Sequence, residues 1–140
     1  MPTKLTDEVR QKLIDLAIEA RELAYAPYSN YRVGAALLTR SGKIYTGVNV
    51  ENAAYPTGTC AERVAIFKAV SEGQREFVAL AVVTGNGGMP CGACRQVMAE
   101  FSTPASPGLL IIVEGRKGPE TLALAKLLPR AFRGKAAGKG

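Results

Sequence analysis

The sequence contains no histidine and no tryptophan, and it has only three cysteines. These absences narrow the chemistry sharply. Any zinc site must rely on thiolates or carboxylates, and any general base must be something other than imidazole. Three cysteines cannot all pair within one chain, so in a reducing compartment they are free thiols or metal ligands. No apolar run approaches the roughly 20 residues needed to span a bilayer. The first residues also lack a basic stretch followed by an apolar one, so no signal peptide and no membrane partner are expected, and the expected location is cytoplasmic.

What is there reads as an ordinary globular chain. Its 140 residues, 47% hydrophobic and 21% charged, suffice for one domain with a real core. The net charge of +6 invites a nucleic-acid reading, but residues 1–115 hold 11 Lys/Arg against 11 Asp/Glu. The excess lies in residues 116–140, with seven Lys/Arg against Glu120 alone. A binding face clusters charge on the folded body, so a nucleic-acid partner is not expected. The organisation expected is a single domain over residues 1–132 and a basic, flexible tail over 133–140.

Thr6 is suited to cap a first helix, with Asp7 and Glu8 against the positive end of its dipole. Val9, Leu13, Leu16, Ala17, Ala20 and Ala24 then repeat at helical spacing, and Pro27 is expected to end the helix. Tyr31 to Thr39 and Ile44 to Val48 read as strands joined by a turn at Ser41-Gly42. A second helix is expected from about Cys60 to Glu72, stopped by Gly73. Phe77 to Val83 and Leu109 to Val113 read as strands buried on both faces. A third helix is expected from Cys91 to Phe101. Residues 120–132 read as a short strand followed by a helical turn that Pro129 breaks. This order implies an α/β fold: a three-layer α/β/α sandwich with a mixed, about five-stranded sheet.

Cys60-Ala61-Glu62 and Pro90-Cys91-Gly92-Ala93-Cys94 carry the chemistry. Taken singly, each half could be a buried thiol or a redox pair. Together they use all three cysteines, and both fall at helix starts, where backbone N–H groups and the helix dipole favour thiolates. Three protein ligands, Cys60, Cys91 and Cys94, leave the fourth position of one Zn²⁺ per chain open for water, which is the pattern of a catalytic zinc site. Glu62, two residues from a ligand, can approach that position without occupying it. A ligand-x-Glu followed by Pro-Cys-x-x-Cys is the pattern of zinc nucleobase deaminases. Three thiolates leave the site one negative charge in excess. A cation on a ligating sulfur would offset it, and Arg63 is the candidate, ahead of Arg95.

The chain resembles the small, homotetrameric cytidine deaminases from Leu13 to Phe132. The matching segments are Ala24-Tyr25-Ala26-Pro27-Tyr28-Ser29, Val33-Gly34-Ala35-Ala36-Leu37-Leu38, Gly47-Val48-Asn49-Val50-Glu51-Asn52, Cys60-Ala61-Glu62-Arg63, Pro90-Cys91-Gly92-Ala93-Cys94-Arg95-Gln96 and Leu127-Leu128-Pro129-Arg130-Ala131-Phe132. The resemblance implies zinc-dependent hydrolysis of cytidine and 2′-deoxycytidine to uridine and 2′-deoxyuridine, with Glu62 moving the protons. It implies that Asn49 and Glu51 hold ribose hydroxyls and that the Ala61 backbone holds the pyrimidine edge. Tyr31 would pack on the nucleoside, and Phe132 would reach into a neighbouring subunit's site. Arg63 would neutralise thiolate charge, oriented by Gln96. The expected partner is a pyrimidine nucleoside, within pyrimidine salvage. Two departures stand out beside the basic tail: Tyr31 occupies a position where the family has Phe, and the loop from Gly85 to Met89 is short.

Three rivals remain open at this level. A deaminase of polynucleotides or nucleoside antibiotics would share the zinc motif. A zinc-stapled nucleic-acid module would bind in a salt-sensitive way. A thiol oxidoreductase would use Cys91 and Cys94 alone.

Overall fold

A computed structural model describes residues 4–102, 108–115 and 118–134. Five strands form one sheet in the order β2-β1-β3-β4-β5. They are β1 (Val33–Thr39), β2 (Ile44–Val48), β3 (Phe77–Thr84), β4 (Leu110–Gly115) and β5 (Gly118–Ala123). The β3–β4 pair is parallel and the other pairs are antiparallel. Helix α1 (Asp7–Arg21) covers one face; α2 (Ala61–Ser71) and α3 (Gly92–Glu100) cover the other, and α4 (Leu124–Leu127) follows β5. The expected mixed, five-stranded α/β/α sandwich is what forms.

Side-chain alternation divides the core into two layers. Ala36, Leu38, Ala79, Ala81, Val83 and Ile112 face α1, where Leu13, Ile14 and Ala17 meet them. Ala35, Leu37, Leu80, Val82, Ile111 and Val113 face the opposite way, onto Ala65, Ile66 and Met98. Two strand glycines set how closely the helices approach. A Cβ on Gly34 would stand 2.0 Å from the Ala17 carbonyl oxygen, and one on Gly47 2.3 Å from the Ala61 carbonyl oxygen. The start of α2 is therefore seated directly on the sheet backbone.

Two boundaries differ from the sequence reading. Helix α1 stops at Arg21, well short of Pro27, and Leu23 is 81% exposed. The Tyr25 N–H donates to the Asn49 carbonyl and the Tyr25 carbonyl accepts from Glu51 N–H, a bridge that a helix could not make. Strand β1 begins at Val33, not Tyr31. The side-chain amide of Asn49 takes the place of a ladder partner there, accepting from Val33 N at 2.9 Å and donating to the Tyr31 carbonyl at 2.7 Å. The remaining elements fall within two residues of expectation.

At the C-terminal end, Arg133 is bonded to the body. Its guanidinium donates to the carbonyls of Ala99 and Ser102, at 2.7 and 2.8 Å, and so closes the last turn of α3. The rest of the expected tail, residues 135–140, lies outside the described residues.

Candidate metal centre and active site

Cys60 is the N-cap of α2 and Cys91 the N-cap of α3; neither uses its side chain to cap its helix. Cys94 lies in the first turn of α3. Helix α3 springs from the C-terminal end of β3, so both helix starts come together on one side of the sheet. The three Sγ atoms lie within 4.8 Å of one another. Thiolates at about 2.3 Å from a tetrahedral zinc stand about 3.8 Å apart, so the trio needs only a slight contraction to hold the ion. The three sulfurs differ in exposure: Cys94 is buried, Cys60 half-buried and Cys91 exposed.

The electrostatics suit a cation. The Cys60 thiol is lowered to about 5, first by the hydrogen bond it accepts from Cys94 and, against the cost of burial, by the Arg63 guanidinium. The Cys94 thiol is pushed well up, first by the Cys60 thiolate beside it and then by burial. Metal binding would displace its proton. Arg63 Nη2 donates to Cys60 Sγ at 3.3 Å. That contact, first among its causes, keeps the guanidinium firmly charged. Arg63 Nε is buried without a hydrogen-bond partner among the described residues. Arg95 turns away from the sulfurs, donating to the carbonyls of Pro90 and Leu127, both at 2.8 Å.

Glu62 is the second residue of α2 and is only 4% exposed. Burial pushes its carboxyl above the ordinary carboxylate range, and the Cys60 thiolate adds to that. Hydrogen bonds from its own amide and from the Cys94 thiol, with the Arg63 charge, pull the other way. The result is a carboxyl against the thiols that can both take and give a proton. Ala61, beside it, is fully buried.

A cleft of about 520 Å³ opens beside this centre, lined among others by Tyr28, Asn49, Glu51, Tyr55, Cys60 and Arg63. It falls within the size range of small-molecule sites. Within the cleft the Glu51 carboxylate accepts from the backbone amides of Tyr28 and Ser29 and from the Ser29 hydroxyl. The Ser29 hydroxyl is the main reason its carboxyl lies below the ordinary range. Asn49 and Glu51 are therefore already held in place by the protein.

Two expected site residues, Tyr31 and Gln96, are placed differently. Tyr31, 41% exposed, does not line the cleft; its hydroxyl donates to Asn86 Oδ1 at 2.9 Å. Phe132, expected to act in a neighbouring subunit's site, is 78% exposed and does not line the cleft of its own chain. Gln96, expected to orient Arg63, instead donates to the Phe132 carbonyl at 2.9 Å, and no Gln96–Arg63 hydrogen bond exists among the described residues. The amide is already committed to the C-terminal segment packed against α3. Ser29, Tyr55 and Asn86 were not singled out from sequence. A hydroxyl two residues after a proline, a tyrosine before another and a loop asparagine are too common to stand out.

Residues 7–107 match the profile of the family described as the cytidine and deoxycytidylate deaminase zinc-binding region. A cytidine deaminase of Sporosarcina psychrophila is 54% identical over 124 residues, which span 87% of this chain and 90% of that protein. A cytidine deaminase of Halalkalibacterium halodurans is 50% identical over 125 residues, 88% of this chain and 93% of the relative. Among solved structures, a cytidine deaminase from Burkholderia pseudomallei superposes with a TM-score of 0.80 at 45% identity, over 91% of this chain and all of the other.

Proposed function

Since the chain belongs to the cytidine and deoxycytidylate deaminase family and carries its zinc-binding region, we propose that it hydrolyses cytidine and 2′-deoxycytidine to the corresponding uridines, with release of ammonia. The observation that carries this reading is one arrangement: three thiols within 4.8 Å of one another, and a buried carboxyl, Glu62, against them.

Cys60, Cys91 and Cys94 would hold the zinc, which when bound would supply the Lewis acidity that makes water a usable nucleophile near neutral pH. Glu62 takes the proton that water gives up and delivers it to N3 of the pyrimidine as the oxygen adds to C4. The same carboxyl passes the second proton to the exocyclic amine, which leaves as ammonia while the C4 carbonyl forms. One group serves as base and then acid, so its placement matters more than a single protonation state. Arg63 draws charge from the Cys60 sulfur, which keeps three thiolates from quenching the site's acidity.

The cleft supports a free nucleoside. Glu51, fixed by three donors and kept ionised, accepts hydrogen bonds from ribose hydroxyls. Asn49, held at its base by Tyr31 and Val33, orients the sugar beside it. The Ala61 backbone meets the pyrimidine edge, and Gln96 steadies the segment bearing Phe132. The reading extends to residues 1–132 as one catalytic domain, to a homotetramer in which Phe132 reaches a neighbour's site, and to pyrimidine salvage in the cytoplasm. The exposed aromatic rings Tyr25, Tyr28, Tyr55, Phe67 and Phe132 support the assembly. Among the described residues no helix is long and apolar enough to cross a membrane.

The test is a comparison of substrates. The zinc-loaded protein is expected to change the absorbance of cytidine and release equimolar ammonia, with no action on a cytosine-containing oligonucleotide. Activity on the oligonucleotide alone would overturn the nucleoside reading.

A further inference from the structure

Asn86 stands in the glycine-rich turn between β3 and Cys91, and its side-chain oxygen collects three donors. It accepts from the Tyr31 hydroxyl at 2.9 Å and from Thr84 Oγ1 and Gly88 N, each at 3.1 Å. Gly88 N also donates to Thr84 Oγ1 at 2.7 Å. Thr84 is the last residue of β3 and is buried, so the turn is fastened to the sheet at that end. Tyr31 is fastened too, through its carbonyl to Asn49 and its amide to Ser29. The turn between them contains Gly85, Gly87 and Gly88, with Gly87 at a φ of +70°. Such a segment has little stiffness of its own. Its path decides where Pro90 and Cys91 enter α3. The contact is close: a Cβ on Gly88 would stand 2.7 Å from the Tyr31 hydroxyl oxygen.

We propose that the Tyr31 hydroxyl is a latch on the Gly85–Met89 turn that holds Cys91 in reach of Cys60 and Cys94. Tyr31 is thus a positioning residue for the metal centre, whatever its ring contributes to the substrate. The inference rests on the reading of Cys91 as a metal ligand.

The experiment measures zinc transfer from the loaded protein to a chromogenic chelator, and amide exchange across residues 85–91. Tyr31→Phe is expected to speed both by about 2- to 10-fold, the effect of one modest hydrogen bond, and Asn86→Ala, which also loses the Thr84 and Gly88 donors, by at least as much. The double variant is expected to be no faster than Asn86→Ala alone, because that variant already removes the Tyr31 contact. Asn86→Asp retains the acceptor and restores wild-type release. Gly88→Ala is expected to speed release in the wild-type background and to add less in Tyr31→Phe, where the most crowded oxygen is gone and Asn86 Oδ1, 3.1 Å from the added carbon, remains. A Tyr31→Phe protein that holds zinc and exchanges like the wild type overturns the latch alone, and so does strict additivity in the double variant. A wild-type chain that binds no zinc overturns the ligand reading and the latch with it.

Discussion

The starts of α2 and α3 are built from similar sequences, Cys-Ala-Glu-Arg and Cys-Gly-Ala-Cys-Arg, yet they play different parts. Each begins on a cysteine N-cap and each carries an arginine after its last functional residue. The α2 start is pressed onto the sheet at Gly47, where the Ala61 carbonyl leaves no room for a side chain. Ala61 and Glu62 are buried there, and Arg63 points at a sulfur. The α3 start is fed by a glycine turn; Cys91 is exposed, Gly92 has open space around it, and Arg95 ties down backbone carbonyls instead. The proposed proton carrier, Glu62, thus sits on the more tightly seated element, where a misplacement of an ångström would be most costly. Two of the three thiols sit on the looser one, where a small adjustment lets them close on a metal.

The comparison can be broken most severely at the thiols. Cys60→Ala on the stiff side and Cys94→Ala on the loose side are each expected to lose zinc and turnover together, by metal analysis and ammonia release. Retention of full activity by either would remove that cysteine from the centre. Next come the two arginines. Arg63→Gln is expected to lower activity or zinc affinity about 10- to 100-fold, as loss of a partner to a ligating atom does. Arg95→Gln is expected to act mainly on thermal stability, so a kinetic effect as large as that of Arg63→Gln would erase the distinction.

The glycines sharpen the contrast in packing. Gly47→Ala is expected to destabilise the fold by about 1–3 kcal/mol, because backbone atoms of α2 must move. Gly92→Ala, with nothing within 4 Å of the added carbon, is expected to stay within about 0.5 kcal/mol. Urea unfolding of both measures the difference, and equal losses would show that α2 is not seated more tightly than α3. The smallest effect concerns pH. Glu62 has a raised carboxyl in the fold, so its charged form costs stability near neutrality, and that cost fades as pH falls and the carboxyl protonates. Glu62→Gln is therefore expected to raise Tm at neutral pH, by a margin that shrinks on acidification. A margin that grows on acidification would mean that the carboxyl is stabilised as the anion.

The sequence disclosed most of the architecture because its patterns are local. Ile111, Ile112 and Val113 form a short β-branched run suited to a strand covered on both faces, and Gly73 stops α2 where a left-handed residue is required, at φ +86°. The pairing of Cys60 with Cys91 and Cys94 was legible for a similar reason: few residues carry that chemistry, and their spacing is distinctive. The misread features depend on distant partners. Nothing in residues 22–27 shows that Tyr25 will pair with Asn49 and Glu51 and so draw the chain out of α1. Gln96 looks available to Arg63 until the C-terminal segment returns to claim it. Neither the closeness of Gly34 and Gly47 to helix backbone nor the meeting of Tyr31 with Asn86 leaves a mark on sequence spacing, because each joins segments far apart in the chain.

The central claim is that one buried carboxyl on the stiff helix moves the protons while three thiols hold the metal. Glu62→Gln tests it most directly, with zinc per chain and cytidine turnover measured on the same sample. The account requires zinc content equal to the wild type and turnover reduced by about 10²- to 10⁴-fold, the range attributed to a positioned acid–base group. Turnover near the wild-type rate with zinc retained would contradict it.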